Sequence, residues 1–478
     1  MLNKGKNINH IFIRQMLMTA FVLSVTVFAI MLTGCAKQEA PKIKVGVAEK
    51  VITPPIGVPM AGYARNGVST GVHDDLYARA LVIEDSEGET VALMTLGIIN
   101  LHSADRLKAI REGISQQTGI PEHNIVVSCT HTHSGPSIGG AGEEYQKFLI
   151  DTSAATVVKA WESRVPGRIG FGTVEALEVG RNDRRMEYGG LHPDPETAII
   201  KVEDASGKLM GVAFNFGCHP STLDLHNLEF TEDWPYYAIT DIKKSVGEDV
   251  WVAYYQSAQG DVKVGYTAEL SAVGAEMPIR NFWYAGVKGS QMAGYVLDTL
   301  PGITTSGDLT VETAWGTYEY PLRESYPITN AEAVKRDKDA KARLAAMEAK
   351  ADDYGKRVLD RARVDVFLTG LAVGCSRWVE EHPNPEPLVM EQQAIRIGDA
   401  VFATFPNEVF SEIGLAVKKR SPMENTFVIG LASGHGGYIP TAEEFREGGY
   451  ASDMTRFSPK CGDVVTNAAL ELIGKVAP

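Results

Sequence analysis

Short runs of β-branched residues alternate with amphipathic stretches through the first half of this 478-residue chain, and this alternation constrains the fold most. Helices that recur between strands cover a sheet on its faces, so the pattern predicts an α/β fold. We expect a mixed β-sheet with flanking helices. The predicted helices span residues 103–118 and 145–161, and the predicted strands span 43–48, 78–83, 91–96, 124–129, 168–173, 197–202 and 209–216.

The second half opens with a charge-rich segment at residues 331–371. Positive and negative side chains are interspersed there, which is typical of one or two solvated surface helices and not of a nucleic-acid-binding arm. Strands are predicted again at 391–397 and 400–405.

The N-terminus has the pattern of a processing signal. An apolar run of about 17 residues, Met16–Leu32, follows a basic segment that contains Lys4, Lys6 and Arg14, and the run is short for a membrane span. Leu32-Thr33-Gly34-Cys35 resembles a bacterial lipobox, so we expect Cys35 to be the acylated first residue of the mature protein. A bare single-span anchor is the alternative.

These features predict three segments: a lipoprotein signal peptide at 1–34, a tether at 35–42 and a folded domain at 43–478. Loss of the three basic signal residues takes the net charge from −14 to −17. Such an acidic protein is a poor candidate for nucleic-acid binding. A lipid anchor would hold it at a bacterial envelope membrane, as a periplasmic or outer-membrane, cell-surface lipoprotein.

Two histidines, His131 and His133, follow the predicted strand 124–129 in the run Thr130-His131-Thr132-His133-Ser134-Gly135-Pro136. Residues at i and i+2 of a strand project from the same side, and the Gly-Pro turn leaves both rings at the open end of the strand. This geometry suits a metal ion or an acid–base pair. Two ordinary histidines, one bonded to a carbonyl and one in water, are the alternative.

Polar groups interrupt apolar segments in three further places. His219 precedes Pro220 at the end of the strand 209–216, and Glu408 follows a proline turn between two apolar runs. Glu408 is either in the first turn of the next helix, where the helix dipole favours a carboxylate, or a ligand. Tyr438 lies in a glycine-rich loop, twelve residues before Tyr450. Two imidazoles and a carboxylate form a familiar catalytic zinc set with an open water position.

Four segments carry a resemblance to one family: Gly46–Pro54, Gly71–Ala80, Thr130–Pro136 and Tyr438–Tyr450. Together they resemble the catalytic domain of the neutral/alkaline non-lysosomal ceramidases, over about residues 43–478. The resemblance implies one Zn²⁺ per chain, held by His131, His219, Glu408 and Tyr438. It also places the second active-site histidine at His133, the second tyrosine at Tyr450 and a substrate-side arginine at Arg181. A loop-tip aromatic is the alternative for Tyr450, and a surface basic patch is the alternative for Arg181.

The chain departs from the family pattern at Lys263. Ceramidases of this family carry a Gly-Asp-Val-Ser-Pro-Asn type segment with an essential serine, and the matching stretch here is Gly260-Asp261-Val262-Lys263-Val264-Gly265. A buried ammonium needs an anion, so Lys263 would suit a substrate with a carboxylate, phosphate or sulfate, or would pair with Asp233. It could instead point into solvent. The C-terminal β-sandwich of the ceramidases is not expected here.

The leading hypothesis is therefore a zinc-dependent hydrolase that cleaves an N-acyl bond of a small-molecule or lipid-like substrate by metal-hydroxide attack. Two other hypotheses remain open from the sequence. One keeps the zinc but changes the bond, giving an esterase or deacetylase that acts on envelope glycans. The other is a surface lipoprotein that binds a ligand on the same scaffold without catalysis, and Lys263 is the residue that favours it.

Overall fold

A computed structural model describes residues 40–182, 191–434 and 436–478. Residues 41–478 form one unit, and its first strand begins at Lys44. The predicted signal peptide and the predicted lipidation residue, Cys35, lie outside the described residues. Among the helices described, none combines the length and the apolarity that a bilayer crossing requires.

The strands alternate with the helices along most of the chain. The strands are β1 Lys44–Val51, β2 Gly71–Val72, β3 Tyr77–Glu84, β4 Thr90–Leu96, β5 Ile125–Cys129, β6 Val165–Glu175, β7 Arg181–Asn182, β8 Glu196–Asp204, β9 Leu209–Phe216, β10 Glu229–Phe230, β11 Trp251–Gln256, β12 Val262–Lys263, β13 Val311–Tyr320, β14 Leu388–Ile397, β15 Ala400–Thr404, β16 Glu408–Val409, β17 Asn425–Ile429 and β18 Tyr438–Ile439.

The α-helices are α1 Ala104–Thr118, α2 Glu143–Glu162, α3 Trp234–Val246, α4 Ala268–Ala272, α5 Phe282–Thr299, α6 Asn330–Glu348, α7 Lys356–Glu381, α8 Ser411–Arg420, α9 Ala442–Glu447, α10 Tyr450–Met454 and α11 Cys461–Val476. Short 3₁₀ turns lie at Glu122–Asn124, Leu300–Gly302 and Ala351–Asp353.

Two mixed sheets pack face to face in the centre of the protein. The larger has eight strands in the order β11-β9-β8-β6-β1-β3-β4-β5, and the smaller has four in the order β13-β14-β15-β17. Side chains on a strand alternate between faces. Leu81 and Ile83 of β3 accordingly point into a buried cluster with Ile395 and Phe402 of the smaller sheet. The two sheets therefore share one apolar core.

Helices cover the outer face of each sheet. The alternate residues of β3, Ala80 and Val82, pack in a cluster with Ile110 of α1 and Val157 of α2. Helices α3 and α5 cover the β8, β9 and β11 side, and α8 and α11 cover the smaller sheet. The arrangement is a mixed α/β fold with flanking helices, as predicted. The helix–sheet–sheet–helix layering explains why many strands are buried on both faces.

Most element predictions are confirmed within a few residues. Helix α1 begins after Ser103, whose side chain accepts a hydrogen bond from the Arg106 amide as an N-cap,. The charge-rich segment forms two helices, α6 and α7, that pack against each other. Helix α7 ends at Glu381, ten residues beyond the predicted end of this segment at Leu371.

Candidate metal centre

His131 lies just beyond β5 in an unusual backbone conformation. Strand β5 ends at Cys129, and His131 has a φ of 71°, a left-handed conformation that non-glycine residues seldom adopt. Its amide donates to Ile98 O at 3.0 Å, and its Nδ1 lies 2.9 Å from Ile99 O. The expectation that His131 and His133 share one side of a pleat is therefore wrong, because the strand has ended. The two rings still meet, since the loop turns them together.

His219 is held by one backbone carbonyl. Its amide donates to Val262 O at 3.0 Å, and its Nδ1 lies 3.0 Å from the same oxygen. The side chain is fully buried, three residues past the end of β9. The first residue of β12 thus orients the histidine that follows β9.

Glu408 and Tyr438 face each other across a two-residue parallel strand pair, β16 and β18. Glu408 therefore belongs to a strand and not to the first turn of α8, which begins at Ser411. Its Oε2 lies 3.2 Å from the Nε2 of His131 and 3.2 Å from the Nε2 of His219. The Tyr438 ring stacks toward His219 with a centroid distance of 6.5 Å.

The donor atoms at the centre are arranged as a cation would require. A carbonyl oxygen only accepts, so His131 and His219 each carry a proton on Nδ1, which leaves Nε2 as the nitrogen that can bind a cation. Both Nε2 atoms point at the carboxylate of Glu408, which is an acceptor. When all three atoms are deprotonated they repel one another unless a positive charge, either a proton shared with Glu408 or a metal ion, lies among them.

Charge states support this interpretation. Burial, helped by the nearby Lys263 ammonium, lowers the pKa of His219 to about 3, so the ring is neutral. Burial opposes ionisation of Glu408, but the adjacent His131 and His219 rings hold the pKa of its carboxyl well below the usual range. A neutral imidazole and an ionised carboxylate are the forms that bind a metal ion.

His133 completes a cluster of three imidazoles. Nitrogen atoms of His131, His133 and His219 lie within 4.8 Å of one another, close enough to hold a metal ion together. The His133 Nε2 is 3.4 Å from the His131 Nε2, while its buried Nδ1 has no hydrogen-bond partner among the described residues. Burial, with His131 and Lys263 nearby, lowers the pKa of His133 well below its ordinary value. His133 is therefore placed to act as a further ligand or as a proton-transfer group.

Lys263 and Arg181 are paired in register on strands β12 and β7. Lys263 is only 2% exposed, so the alternative in which it points into solvent is wrong. Arg181 is exposed. The carboxylate of Asp233 accepts hydrogen bonds from the amides of Trp234 at 2.7 Å and Leu223 at 3.2 Å. It is therefore the N-cap of α3.

Tyr450 lies next to Tyr438. Its ring meets that of Tyr438 edge to face at 5.7 Å and stacks on Phe367 of helix α7 at 5.8 Å. Tyr450 is partly buried and begins α10. The loop-tip alternative is therefore wrong, because the ring packs between Tyr438 and the surface helix.

Tyr63, Arg65 and Gly62 surround His133, and no sequence pattern predicts these contacts. Tyr63 meets the His133 ring at 4.9 Å, and Arg65 Nη2 donates to His133 O at 2.7 Å. Gly62 has a φ of +90°, and a Cβ there would lie 2.7 Å from His133. Gly62 is the sequence signal for this close approach, but a glycine does not show which residue it contacts.

The comparisons with known proteins agree with this architecture. The family model for the N-terminal part of neutral/alkaline non-lysosomal ceramidases matches residues 43–263. The neutral ceramidase of Pseudomonas aeruginosa is 25% identical over 244 residues, which cover 46% of this chain and 36% of that protein. Neutral ceramidase A of Dictyostelium discoideum is 22% identical over 487 residues, which cover 84% of this chain and 68% of the relative.

A crystal structure of the Pseudomonas aeruginosa neutral ceramidase superimposes with a TM-score of 0.69 at 18% identity, covering 91% of this chain and 74% of that one. A structure described as ceramidase complexed with C2 gives a TM-score of 0.68. Sequence matches span about a third of the first relatives, 36% and 33% of their lengths, and the superpositions show the shared fold. Residues 43–263 match the N-terminal part of the neutral/alkaline non-lysosomal ceramidase family, and the chain as a whole shares the fold of the Pseudomonas aeruginosa neutral ceramidase.

Proposed function

We propose that this protein is a zinc-dependent amidohydrolase that cleaves an N-acyl bond. One observation carries the proposal: the Nε2 atoms of His131 and His219 each lie 3.2 Å from the same carboxylate oxygen of Glu408. The proposal is also supported by the family, whose matched members are named neutral ceramidases.

The ligand set proposed for one zinc ion is His131, His219, Glu408 and Tyr438. Nitrogen and oxygen donors of this kind suit zinc. Bound there, zinc would supply Lewis acidity, which brings the pKa of a water molecule near 7 and polarises an amide carbonyl. The backbone carbonyls of Ile99 and Val262 hold the two imidazoles in the required tautomer.

His133 is the proposed proton carrier. Its ring is neutral because of burial, and its Nδ1 has no partner among the described residues. The attacking water oxygen forms a bond to the amide carbonyl carbon and gives up a proton to the imidazole. The C–N bond then breaks, and the imidazole returns that proton to the leaving nitrogen, so the products are a carboxylic acid and an amine.

Tyr450 and Arg181 are proposed to act on the substrate. The Tyr450 phenol packs beside Tyr438, where it would donate a hydrogen bond to the oxyanion of the tetrahedral intermediate. Arg181 is exposed and lies opposite Lys263 on β7, which suits a contact with the outer part of the substrate.

Chelation and restoration test the proposal. The protein is stripped of metal, reconstituted with zinc and assayed on a panel of N-acyl amides that includes ceramide, with matched esters and acetylated glycans alongside. We expect amide cleavage to disappear on chelation and to return with one equivalent of zinc. Activity that is indifferent to metal removal would refute the mechanism, and cleavage of esters or acetyl groups alone would favour the esterase or deacetylase hypothesis.

Metal analysis separates catalysis from simple binding. The purified protein should retain about one equivalent of zinc, because two neutral imidazoles and a carboxylate form a strong site. A content below roughly a tenth of an equivalent, with no gain on reconstitution, would favour the non-catalytic binding hypothesis.

We further propose that Cys35 carries a lipid anchor in a bacterial envelope. The support is the sequence alone: a basic segment, an apolar run and Leu32-Thr33-Gly34-Cys35. Expression with a labelled fatty acid should label the wild-type protein and not the Cys35→Ser variant. Equal labelling of both would contradict the assignment.

A further inference from the structure

One buried glutamine side chain joins the two segments that carry His131 and His219. Gln256 is the last residue of β11 and is fully buried. Its Nε2 donates to Thr130 O at 3.1 Å and to Cys218 O at 3.0 Å. Each of these carbonyls belongs to the residue directly before a proposed zinc ligand, His131 or His219. The side-chain amide therefore holds the two ligand segments together.

Both atoms of this amide have specific partners. The oxygen Oε1 accepts from the Cys218 amide at 3.1 Å and from the Tyr254 hydroxyl at 2.7 Å. The two carbonyls identify the nitrogen end of the amide, and the Cys218 N–H identifies its oxygen end, so only one orientation satisfies all of these partners. A side chain without this amide would take hydrogen bonds from buried backbone groups, which is costly.

Strand pairing in the larger sheet does not set the spacing of the two histidines. His131 follows β5, the last strand in the sheet order, whereas His219 follows β9, the second strand. Ladder hydrogen bonds join only neighbouring strands. The two ring centroids nevertheless lie 4.8 Å apart. Gln256, on the first strand in that order, bridges from one edge of the sheet to the segment that follows the other edge.

The backbone of Gln256 connects to the segment that carries Glu408. Its carbonyl accepts from the Gly430 amide at 2.9 Å, just beyond β17 of the smaller sheet. The next amide, of Leu431, donates to Asn407 O at 3.4 Å, and Asn407 directly precedes Glu408. Hydrogen bonds that start at Gln256 therefore reach the residue before each of three proposed zinc ligands.

We propose that Gln256 is a positioning residue that sets the spacing of His131, His219 and Glu408 before zinc binds. This inference rests on the proposed zinc-dependent function and deepens it. Ligands that are already in place lose less freedom when the metal binds, so the positioning contributes to zinc affinity. Partners outside the ligand shell typically change metal affinity by about 10- to 100-fold.

Zinc affinity measures this role. Gln256→Met keeps much of the side-chain volume and removes the amide, so the zinc dissociation constant should rise about 10- to 100-fold. Titration of the full chain against a competing chelator gives this constant. Equal constants in wild type and folded Gln256→Met would overturn the proposal.

The matched control for Gln256→Met is Gln393→Met. Gln393 is also buried on a strand, but its Nε2 donates to His123 O at 2.6 Å, before the start of β5 and not at its end. Both substitutions should lower the free energy of unfolding, because both remove buried hydrogen bonds. Only Gln256→Met should weaken zinc binding. An equal loss of zinc affinity in both variants would assign Gln256 to general stability and overturn the positioning role.

A milder pair of variants covers the case in which Gln256→Met does not fold. Tyr254→Phe removes the hydroxyl that donates to Gln256 Oε1, and Tyr145→Phe removes a buried hydroxyl of α2 that donates to Ile52 O at 2.8 Å. Tyr254→Phe should raise the zinc dissociation constant about threefold to tenfold, the equivalent of one hydrogen bond. Tyr145→Phe should leave it unchanged, and equal constants for the two variants would overturn the proposal.

Crystal structures of the metal-free proteins separate this inference from the proposed function. The His131 and His219 ring centroids should stay 4.8 Å apart in wild type and move apart by about 0.5 Å or more in Gln256→Met, or in Tyr254→Phe if the first variant does not fold. If the wild type binds no zinc, the amidohydrolase function fails, and this spacing alone decides the role of Gln256. An unchanged spacing in the variant would overturn that role whether or not the protein binds zinc.

Discussion

The two parts of the chain contribute different chemistry to the candidate metal centre. Residues 43–263, which match the family model, provide the three imidazoles and Lys263. Residues 264–478 provide the carboxylate and both phenols, on the β16–β18 strand pair and at the start of α10. The first part supplies the nitrogen donors and a cationic group, and the second supplies the anionic donor.

This difference shows how the centre depends on the packing of the two sheets. His131 and His219 follow strands of the larger sheet, whereas Glu408 follows β15 of the smaller one. The donor atoms meet because the sheets share a core that contains Leu81 and Ile83 on one side and Ile395 and Phe402 on the other. A metal ion at this point would bind the two parts of the chain together.

The largest effect should come from removing the anionic donor. Glu408→Gln keeps the size of the side chain and abolishes its charge, so zinc content should fall far below one equivalent. Amide cleavage should fall on the order of 10³-fold or more, since the Lewis acid would be lost. Metal analysis and kcat/KM on the same preparation measure both quantities.

The matched control for Glu408→Gln is Glu412→Gln, four residues later on helix α8. It should keep wild-type zinc content and activity. Full zinc occupancy and activity in Glu408→Gln would show that the second part of the chain does not supply a ligand.

The next largest effect concerns stability. If zinc joins the two parts, saturation with zinc should raise the free energy of unfolding by about 4 kcal/mol at a thousandfold excess over the dissociation constant. Thermal unfolding with and without zinc measures this gain. Glu408→Gln should show little of it, and an equal gain in that variant would place the stabilising ion elsewhere.

A third effect tests the support behind His219. His192 Nε2 donates to Gly217 O at 2.7 Å, and its Nδ1 accepts the Asp194 amide at 3.0 Å. Burial lowers the pKa of His192 to about 4, against about 6.5 in the unfolded chain. The unfolded chain therefore binds the proton more readily, and the contribution of neutral His192 to stability is lost as the pH falls from 6.5 toward 4.

His192→Gln removes this titration. The difference in unfolding free energy between wild type and variant should shrink by about 3 kcal/mol between pH 6.5 and pH 4. Denaturant titrations at several pH values, on the metal-free proteins, give the comparison. A difference that does not vary with pH would contradict a buried neutral His192.

The smallest effect concerns the phenol of Tyr450. Tyr450→Phe keeps the ring contacts with Tyr438 and Phe367 and removes the hydroxyl. We expect kcat to fall by roughly tenfold to a hundredfold, with zinc content unchanged. Phe367→Ala, which keeps the hydroxyl, should have a smaller effect on kcat. The reverse order would assign Tyr450 to packing against helix α7.

Sequence patterns predicted the secondary structure well because period-2 and period-3.6 hydrophobicity records local burial. They could not predict that two sheets pack face to face. Ala80 and Leu81 are both apolar and both buried, so the sequence does not show that one faces the helices and the other faces the smaller sheet. The prediction that the His131 and His133 rings lie close together is confirmed, but the reason given for it is wrong. The strand has ended before His131, and the left-handed conformation of that residue brings the rings together.

The site was only partly predictable for a similar reason. Histidine and carboxylate types, with the family resemblance, singled out His131, His219 and Glu408, which the structure brings together. Nothing in the local sequence linked Tyr63 to His133, because that contact joins positions 70 residues apart along the chain. The burial of Lys263 likewise depends on its pairing with β7.

The most direct test of a joint metal centre is an anomalous-difference map of zinc-loaded crystals, recorded on both sides of the zinc absorption edge. The account predicts one strong peak about 2 Å from His131 Nε2, His219 Nε2 and Glu408 Oε2. A peak away from these atoms, or none at all in protein that contains zinc, would contradict it.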